Sequence, residues 1–317
     1  MIEVKELVKK YGNKIVLDHV SFQVNEGEVL GFLGQNGAGK STTMNIITGN
    51  VSSTEGSVTI DGYDILESPL KAKKLLGYLP EQPPLYQDMT VKEYLNFVYH
   101  LKRCKIPKKE HLEAVCKSTQ ILDVYHRVIK NLSKGYKQRI GIAQALIGEP
   151  KVLILDEPTV GLDPKQLIEI RKLIRNLGEK YTVIVSSHIL SEIQAVCDRV
   201  IVINNGKMIA NDTLENLSHK LNGDYLRICI EGPEREVEQF LVKIEGLQQV
   251  RRLFCREKGC CAFEVRAKED LDARRMIASY MKKSPWLLLE MENADMSLEK
   301  IFLRLTGTNE EHKGGKS

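Results

Sequence analysis

The feature that most constrains this chain is a glycine-rich stretch at residues 34–42, Gly-Gln-Asn-Gly-Ala-Gly-Lys-Ser-Thr. It fits the pattern G-x-x-x-x-G-K-[ST], with an apolar run at residues 29–33 before it and an apolar-periodic segment at residues 40–48 after it. Glycines allow positive φ angles and let successive N–H groups turn inward, while a helix N-terminus and Lys40 add positive charge. We therefore expect a triphosphate site here, rather than a plain turn before a helix.

Two acidic residues, Asp156 and Glu157, follow the apolar run at residues 152–155. Such a run is typical of a strand that is buried on both faces. Adjacent strand residues point to opposite faces, so we expect one carboxylate to hold a metal ion and the other to address a water molecule. The acids could also merely cap the next turn, but buried strands rarely end in unpaired carboxylates without a purpose.

Three further positions could be functional or merely structural. His188 follows a second apolar strand, where open α/β sheets place their ligands, although a lone histidine is more often structural. Ser133 is a good N-cap residue and Gly135 would let a ligand approach, although such a helix start is usually only a cap. Tyr11, beside a predicted hairpin turn, could stack on a purine or cover a sheet edge.

A proline-rich loop at residues 80–84 surrounds Gln82. Each proline fixes φ and removes an N–H donor, so the loop is expected to be stiff and exposed. Just beyond it, Thr90 and Glu93 have capping-box spacing and predict the start of a helix.

Composition excludes several classes of protein. The net charge of +4, from 46 basic and 42 acidic residues, does not indicate binding to nucleic acid or a polybasic membrane anchor. The seven scattered cysteines fit reduced cytosolic thiols, and Cys255, Cys260 and Cys261 lack a fourth ligand at zinc spacing. No apolar run approaches the ~20 residues of a membrane helix, and the N-terminus lacks a signal-peptide core, so we expect a soluble chain.

The order of these motifs over residues 1–217 resembles the ATP-binding subunit of an ABC transporter. The resemblance assigns catalysis to Glu157, His188 and Gln82, and ligation of Mg²⁺ to Ser41, Gln82 and Asp156. It assigns binding of ATP to Tyr11, Gly34, Gln35, Asn36, Gly37, Ala38, Gly39, Lys40, Ser41, Thr42, Gln82, Ser133, Gly135, Asp156 and Asp163.

One motif departs from the family pattern. The common signature is Leu-Ser-Gly-Gly-Gln, whereas this chain has Lys134 and Tyr136 at the third and fifth places. Because Ser133 and Gly135 are retained, we expect a consequence for contacts near the ribose and not for hydrolysis. The Leu-Pro-Glu-Gln and Leu-Ser-Lys-Gly forms resemble subunits of bacterial ABC-2-type exporters.

The expected fold class is α/β, a P-loop NTPase at residues 1–219. The resemblance implies a RecA-like parallel sheet core, an antiparallel β subdomain and a helical signature subdomain. Residues 220–307 show the order β-α-β-β-α-β, which predicts a small α+β ferredoxin-like domain with a closing helix at residues 297–305. Residues 308–317 are polar and are expected to form a disordered tail.

The resemblance also implies partners. Two nucleotide-binding domains, expected to be copies of this chain, would close head to tail around ATP, and a separate membrane permease would hold them at the cytoplasmic face. The main alternative is a soluble mechanochemical ABC ATPase acting on the ribosome or DNA, but such proteins usually carry tandem nucleotide domains or a long coiled coil. A small-molecule P-loop kinase would not need a signature motif or His188.

Overall fold

Three sheets organise the part of the chain that the computed structural model describes, residues 1–217, 225–255, 257–268 and 271–293. Two sheets belong to a first unit, Met1–Leu214, and the third belongs to a second unit that begins at Glu215. The predicted domain boundary at residue 219, the closing helix at residues 297–305 and the tail at residues 308–317 lie outside the described residues.

The first unit is built from both strands and helices. Its strands are β1 (Ile2–Tyr11), β2 (Lys14–Val24), β3 (Val29–Leu33), β4 (Glu55–Ile60), β5 (Tyr63–Asp64), β6 (Leu76–Leu79), β7 (Val152–Asp156), β8 (Thr182–Ser187), β9 (Arg199–Asn204) and β10 (Lys207–Thr213). Its helices are α1 (Lys40–Ile47), α2 (Pro69–Lys74), α3 (Val91–Leu101), α4 (Lys108–Ser118), α5 (Lys134–Leu146), α6 (Pro164–Gly178) and α7 (Leu190–Val196).

The central sheet has six strands in the order β10-β9-β3-β8-β7-β6, and all but β10 run parallel. Every residue of β3, β7 and β8 is buried, as their continuous apolar runs predict. These three strands are neighbours, so the loops that follow them meet at one edge of the sheet. The α/β fold predicted from the sequence is confirmed.

An antiparallel sheet in the order β2-β1-β4-β5 packs against the central sheet. The predicted hairpin between β1 and β2 is present, with Tyr11 opposite Lys14. The rings of Phe22 on β2 and Phe32 on β3 lie 5.6 Å apart, and the fully buried Met44 of α1 belongs to the same core. The phosphate loop therefore starts from a strand that is held by apolar contacts with both sheets.

Two helix starts follow the predicted caps. At the start of α3, the Thr90 N–H donates to Glu93 Oε2 at 2.8 Å and the Glu93 N–H donates to Thr90 Oγ1 at 3.2 Å, which forms a capping box. At the start of α5, the Tyr136 N–H donates to Ser133 Oγ at 3.4 Å. Both caps satisfy backbone donors that would otherwise lack a partner.

The second unit consists of β11 (Tyr225–Glu231), α8 (Glu234–Val242), β12 (Leu247–Leu253), β13 (Cys260–Ala267), α9 (Ala273–Met281) and β14 (Leu287–Asn293). Its strands form an antiparallel sheet in the order β12-β13-β11-β14. Apolar residues of one sheet face, including Ile228 and Phe263, pack with Val237 of α8 and Ile277 of α9. This is the predicted ferredoxin-like arrangement, with both helices on one face of the sheet.

None of the helices among the described residues combines the length and the apolar composition that a membrane span requires.

A partly buried ion pair connects the two sheets of the first unit. Arg199 of β9 contacts Glu28 through Nε at 2.5 Å and Nη2 at 3.1 Å, and its Nη2 also donates to the Gln23 carbonyl of β2 at 2.7 Å. Partial burial opposes the ionisation of Glu28, but the hydrogen bonds from Arg199 and the Asn25 N–H outweigh it. They hold the pKa of Glu28 below its ordinary value.

We expect Arg199→Lys to lower the free energy of unfolding by about 1–3 kcal/mol, because lysine cannot make the two-pronged contact with Glu28. The folded pKa of Glu28 is depressed, so its stabilisation is fully present above the unfolded pKa of about 4.3 and is lost as pH falls through the folded pKa. Denaturant titrations should therefore show the largest effect above about pH 5 and a smaller one towards about pH 3. The exposed Arg175 of α6 supplies a control: an Arg175→Lys effect as large as that of Arg199→Lys would contradict the prediction.

Candidate active site

The loop between β3 and α1 adopts a conformation that depends on glycine. Gly37 and Gly39 have φ angles of 81° and 112°, and Gly39 is the N-cap of α1. A Cβ at Gly39 would lie 2.7 Å from a methyl carbon of Leu17. The Gly206 N–H donates to the Ala38 carbonyl at 2.9 Å and holds the loop against the end of the β9–β10 hairpin. The loop is thus a cradle whose conformation depends on glycine at these two positions.

Lys40 places a buried positive charge in this cradle, with only 5% of its surface exposed. Its ammonium donates to the Gly34 carbonyl at 2.8 Å and to the Gln35 carbonyl at 3.3 Å, and it lies 3.4 Å from Glu157 Oε1. The loop carbonyls and the carboxylate orient the ammonium, which is what a cationic partner for phosphate oxygens requires.

The two acids after β7 contact different partners. Asp156 accepts a hydrogen bond from Ser186 Oγ of the neighbouring strand, and Ser41 Oγ lies 3.5 Å from its Oδ1. Glu157 adopts a left-handed backbone, with φ of 47°, and its N–H donates to Ser186 Oγ at 2.9 Å. A left-handed non-glycine residue costs about 1–3 kcal/mol, and such strain clusters at functional sites.

Glu157 also connects the phosphate loop to the loop after β8. Its Oε2 lies 2.9 Å from His188 Nδ1, while its Oε1 faces Lys40. Glu157 is 6% exposed, whereas the side chain of His188 is 37% exposed. A buried carboxylate thus lies between a cation and an imidazole, a position from which it can orient or deprotonate a water molecule.

Glu192, a buried acid that the sequence did not predict as part of the site, contacts the segments that carry Glu157 and His188. Glu192 of α7 is 4% exposed, and its Oε2 accepts from Thr159 Oγ1 at 2.5 Å and from Ser187 Oγ at 2.7 Å. Thr159 lies just beyond Glu157 and Pro158, and Ser187 directly precedes His188, so one carboxylate joins the loops that follow β7 and β8. An acid in the first turn of a helix suits the helix dipole, so Glu192 carried no distinctive signal in the sequence.

A cavity of about 670 Å³ joins these groups. It is lined by Lys14, Ile15, Val16, Asn36, Gly37, Gly39, Lys40, Ser41, Thr42, Glu81, Glu157, Val160, His188, Asn205 and Gly206. Several predicted residues do not line it. Tyr11 is 52% exposed at the end of β1, and Gln82 is exposed beside Glu81. Gly34, Gln35, Ala38 and Asp156 belong to the phosphate loop and the end of β7 but are not among the lining residues. The β2 residues that do line the cavity were not predicted, because in the sequence they read as ordinary alternating strand positions.

Three other predicted residues lie together in a different cavity of about 330 Å³, which Ser133, Gly135 and Asp163 all line. Ser133 caps α5, and Asp163 caps α6 by accepting the Gln166 N–H at 2.9 Å. The cavity around Lys40 includes none of the three. Within the described part of one chain, the predicted site is therefore divided into two groups of residues.

The unusual signature residues make contacts within the chain. The Tyr136 hydroxyl donates to Asp123 Oδ2 at 2.5 Å, a bond that raises the pKa of Tyr136, and Arg139 lies 5.9 Å from the centre of its ring. The Lys134 ammonium lies against Gly161, where a Cβ would collide with it. Tyr136 is thus held towards Asp123, and Lys134 crosses the loop that contains Gly161.

The first cavity fits a magnesium triphosphate by the chemistry of its donors. Ser41 and Asp156 offer hard oxygen ligands of the kind that Mg²⁺ prefers, next to the buried ammonium of Lys40 and the glycine cradle.

Comparisons with known proteins agree with this chemistry. Residues 17–160 match the sequence profile of the family described as ABC transporter. The linearmycin resistance ATP-binding protein LnrL of Bacillus subtilis (strain 168) is 35% identical over 97% of this chain and 98% of its own length. The bacitracin transport ATP-binding protein BcrA of Bacillus licheniformis is 35% identical over 97% of each chain. A dimeric bacterial ABC transporter cassette is structurally similar, with a TM-score of 0.61 and 27% identity over 68% of this chain and 99% of its own.

We expect Glu192→Ala to lower kcat for ATP hydrolysis about tenfold with little change in nucleotide affinity, because two buried hydroxyls lose their acceptor and the catalytic segments lose their common anchor. Glu192→Gln is the matched control, since its amide oxygen can still accept both hydroxyls and should preserve most of kcat. Steady-state kinetics and a nucleotide titration separate the two effects. Equal losses in both variants would show that the charge of Glu192, and not its role as an acceptor, matters.

Proposed function

Because this chain belongs to the ABC transporter family of ATP-binding proteins, we propose that it is the ATPase subunit of an exporter that works with a separate membrane permease. Members of this family bind and hydrolyse ATP, and the chain is an ATPase. In this proposal residues 1–219 form the ATP-binding domain and residues 220–307 an accessory domain. The ATPase acts at the cytoplasmic face of the membrane, held there by the permease.

The observation that carries the proposal is the division of the site within one chain. Lys40 and Glu157 line one cavity, whereas Ser133 and Gly135 line another. We propose that a second copy completes each site head to tail, so that Ser133 and Gly135 of one copy meet the triphosphate held at Lys40 of the other. The dimeric form of a structurally similar cassette supports this arrangement.

The chain's own residues supply most of the proposed mechanism by positioning. The loop N–H groups and Lys40 bind the phosphates, Glu157 orients and deprotonates the attacking water, and His188 contacts the γ-phosphate. Ser41 and Asp156 would hold Mg²⁺, with Gln82 joining from its loop, and the bound ion would neutralise charge on the β- and γ-phosphates. Tyr11 would stack on adenine, and Asp163 would contact the nucleotide across the dimer.

The proline-rich loop gives a physical route from this site to a permease. Glu81 lines the Lys40 cavity, and the Tyr94 hydroxyl of α3 hydrogen-bonds to the Pro84 carbonyl at 3.3 Å. The exposed ring of Tyr86 lies 5.3 Å from that of Phe97. Together with Leu101, one turn further along α3 and 67% exposed, these side chains form an apolar surface of the kind that marks an interaction site. We call it the α3 patch.

The full-length relatives favour export as the direction of transport. One is named for resistance to linearmycin and another for transport of bacitracin, and each aligns with nearly the whole chain. We propose that the cargo is a compound of this kind, moved out of the cell.

Complementation between two inactive variants tests the shared site. Lys40→Ala removes the cation from one group of residues, and Ser133→Asp puts a negative charge near the phosphates while remaining a good N-cap. In a head-to-tail dimer the mixed pair has one fully intact site. We expect each variant alone to be nearly inactive and the mixture to recover about a quarter of wild-type activity, since about half the dimers are mixed and each holds one good site.

If both groups of residues act within one chain, the mixture stays as inactive as its components, and the head-to-tail proposal is wrong. If the two sites are coupled, one damaged site can stop hydrolysis at the intact site of the same dimer. ATP-dependent dimerisation of the mixture is therefore measured in parallel by sedimentation. Absence of dimers in both wild type and mixture would also contradict the proposal.

Leu101→Asp tests the α3 patch. We expect it to abolish co-purification with the permease and to leave the ATPase activity of the isolated chain unchanged, because a charge on an apolar contact costs about 2 kcal/mol or more. Leu70→Asp is a matched control on α2, since Leu70 is 79% exposed. Co-purification of the wild-type chain with ribosomes or DNA instead of a membrane protein would favour the soluble ATPase alternative.

A further inference from the structure

The sheet of the second unit brings together three thiols from distant points of the sequence. Cys229 lies on β11, Cys260 begins β13 and Cys255 follows β12, just before the β12–β13 turn. Cys229 pairs with Ala262 across the sheet, which places Cys260 diagonally next to it on the same face. That face is opposite the one that packs against α8 and α9.

Side-chain atoms of this cluster are within reach of a single ion. The sulfurs of Cys229 and Cys260 and a carboxylate oxygen of Glu257 all lie within 4.8 Å of one another. Cys255 is near this group, because its Sγ lies 3.8 Å from the carbonyl oxygen of Glu257, so a third sulfur adjoins the three atoms. Zinc bound by thiolates at ~2.3 Å with tetrahedral angles holds sulfurs about 3.8 Å apart, so only a small contraction is needed.

The cluster differs from the one that the sequence suggested. Cys261 faces the core, where its Sγ lies 3.3 Å from the Ile230 carbonyl, so it cannot join Cys255 and Cys260. Cys229 takes its place from 26 or more residues earlier in the chain, and Glu257 supplies the missing fourth ligand. Spacing along the chain could not reveal a site that only strand pairing assembles.

Charge and geometry favour a cation over a disulfide. Glu231 lies directly opposite Cys260 in the sheet, so a second carboxylate adjoins the thiols. A disulfide requires Cα atoms within about 7 Å of each other, whereas a metal ion bonds to the sulfur atoms and needs no such approach of the backbones.

We propose that Cys229, Cys255, Cys260 and Glu257 form a binding site for a thiophilic divalent cation such as Zn²⁺. Three thiolates and one carboxylate complete a tetrahedral, closed coordination, which is typical of structural zinc. Each thiol loses its proton on binding, so the affinity rises with pH. The ion ties β11 and β13 to the β12–β13 turn and stabilises the second unit.

Cobalt titration of the reduced, metal-free, full-length chain tests this site. We expect one equivalent of Co²⁺ to produce thiolate-to-cobalt charge-transfer absorption and intense tetrahedral d–d bands, both removed by added Zn²⁺. Cobalt bound by the oxygen ligands of the ATP site gives no thiolate absorption, so the two sites are distinguishable. Zn²⁺ should also raise the thermal midpoint of the wild-type chain.

Single substitutions identify the ligands. Cys229→Ser and Cys260→Ser should each remove the charge-transfer band or weaken Zn²⁺ binding at least about 100-fold. Substitution of a residue that only orients a metal ligand usually weakens metal binding by about 10- to 100-fold, so a larger loss identifies a ligand. Cys104 is a half-buried thiol of the first unit, so Cys104→Ser is the control and should bind Zn²⁺ and Co²⁺ as the wild type does. Circular dichroism and ATPase activity of the variants check that the fold is retained.

Three results would overturn the proposal. They are the absence of thiolate absorption in the wild type, its persistence in Cys260→Ser, and formation of a Cys229–Cys260 disulfide without metal uptake, seen by non-reducing mass spectrometry. None of these results bears on the shared ATP site, because the cluster lies in the other unit.

Discussion

The candidate active site depends on the two contacts that the Glu157 carboxylate makes, one with Lys40 and one with His188. Through these contacts the carboxylate connects the loops that follow three adjacent strands, β3, β7 and β8. This contact is possible because parallel strands in this order place their carboxyl ends together. The apolar packing of those strands therefore fixes where the charges meet, and the strained backbone of Glu157 is held by Ser186.

The second constraint is that the described residues of one chain divide the predicted site between two cavities. Ser133 and Asp163 are the N-caps of α5 and α6, and both line the second cavity, so the residues that begin these helices also present polar groups to it. In the proposed head-to-tail dimer, hydrolysis of ATP requires two associated copies, so closure of the dimer would be part of the chemistry. In the same proposal, the proline-rich loop would couple closure to the α3 patch, because Glu81 lines the cavity around Lys40 and the Pro84 carbonyl is hydrogen-bonded to Tyr94 of α3.

The second unit shows what strand pairing adds to a fold that carries no family motif. Its apolar face is closed by two helices, whereas its other face carries Cys229 and Cys260 in neighbouring strands. The proposed thiolate site would give the second unit a chemistry of its own, independent of nucleotide. Because a bound ion would join three parts of one sheet, it stabilises the unit without changing its topology.

The sequence alone determined the fold class and most of the candidate site, since the glycine loop, the strand-end acids and the capping residues are local patterns with local physical causes. It predicted the cap at Ser133, the box at Thr90 and Glu93, and the hairpin beside Tyr11. Only the tertiary structure showed that Glu192 joins the loops that follow β7 and β8, that β2 lines the cavity and that Cys229 replaces Cys261 in the thiol cluster. Those contacts join residues far apart in the chain, and only the packing of strands and helices decides which of them meet.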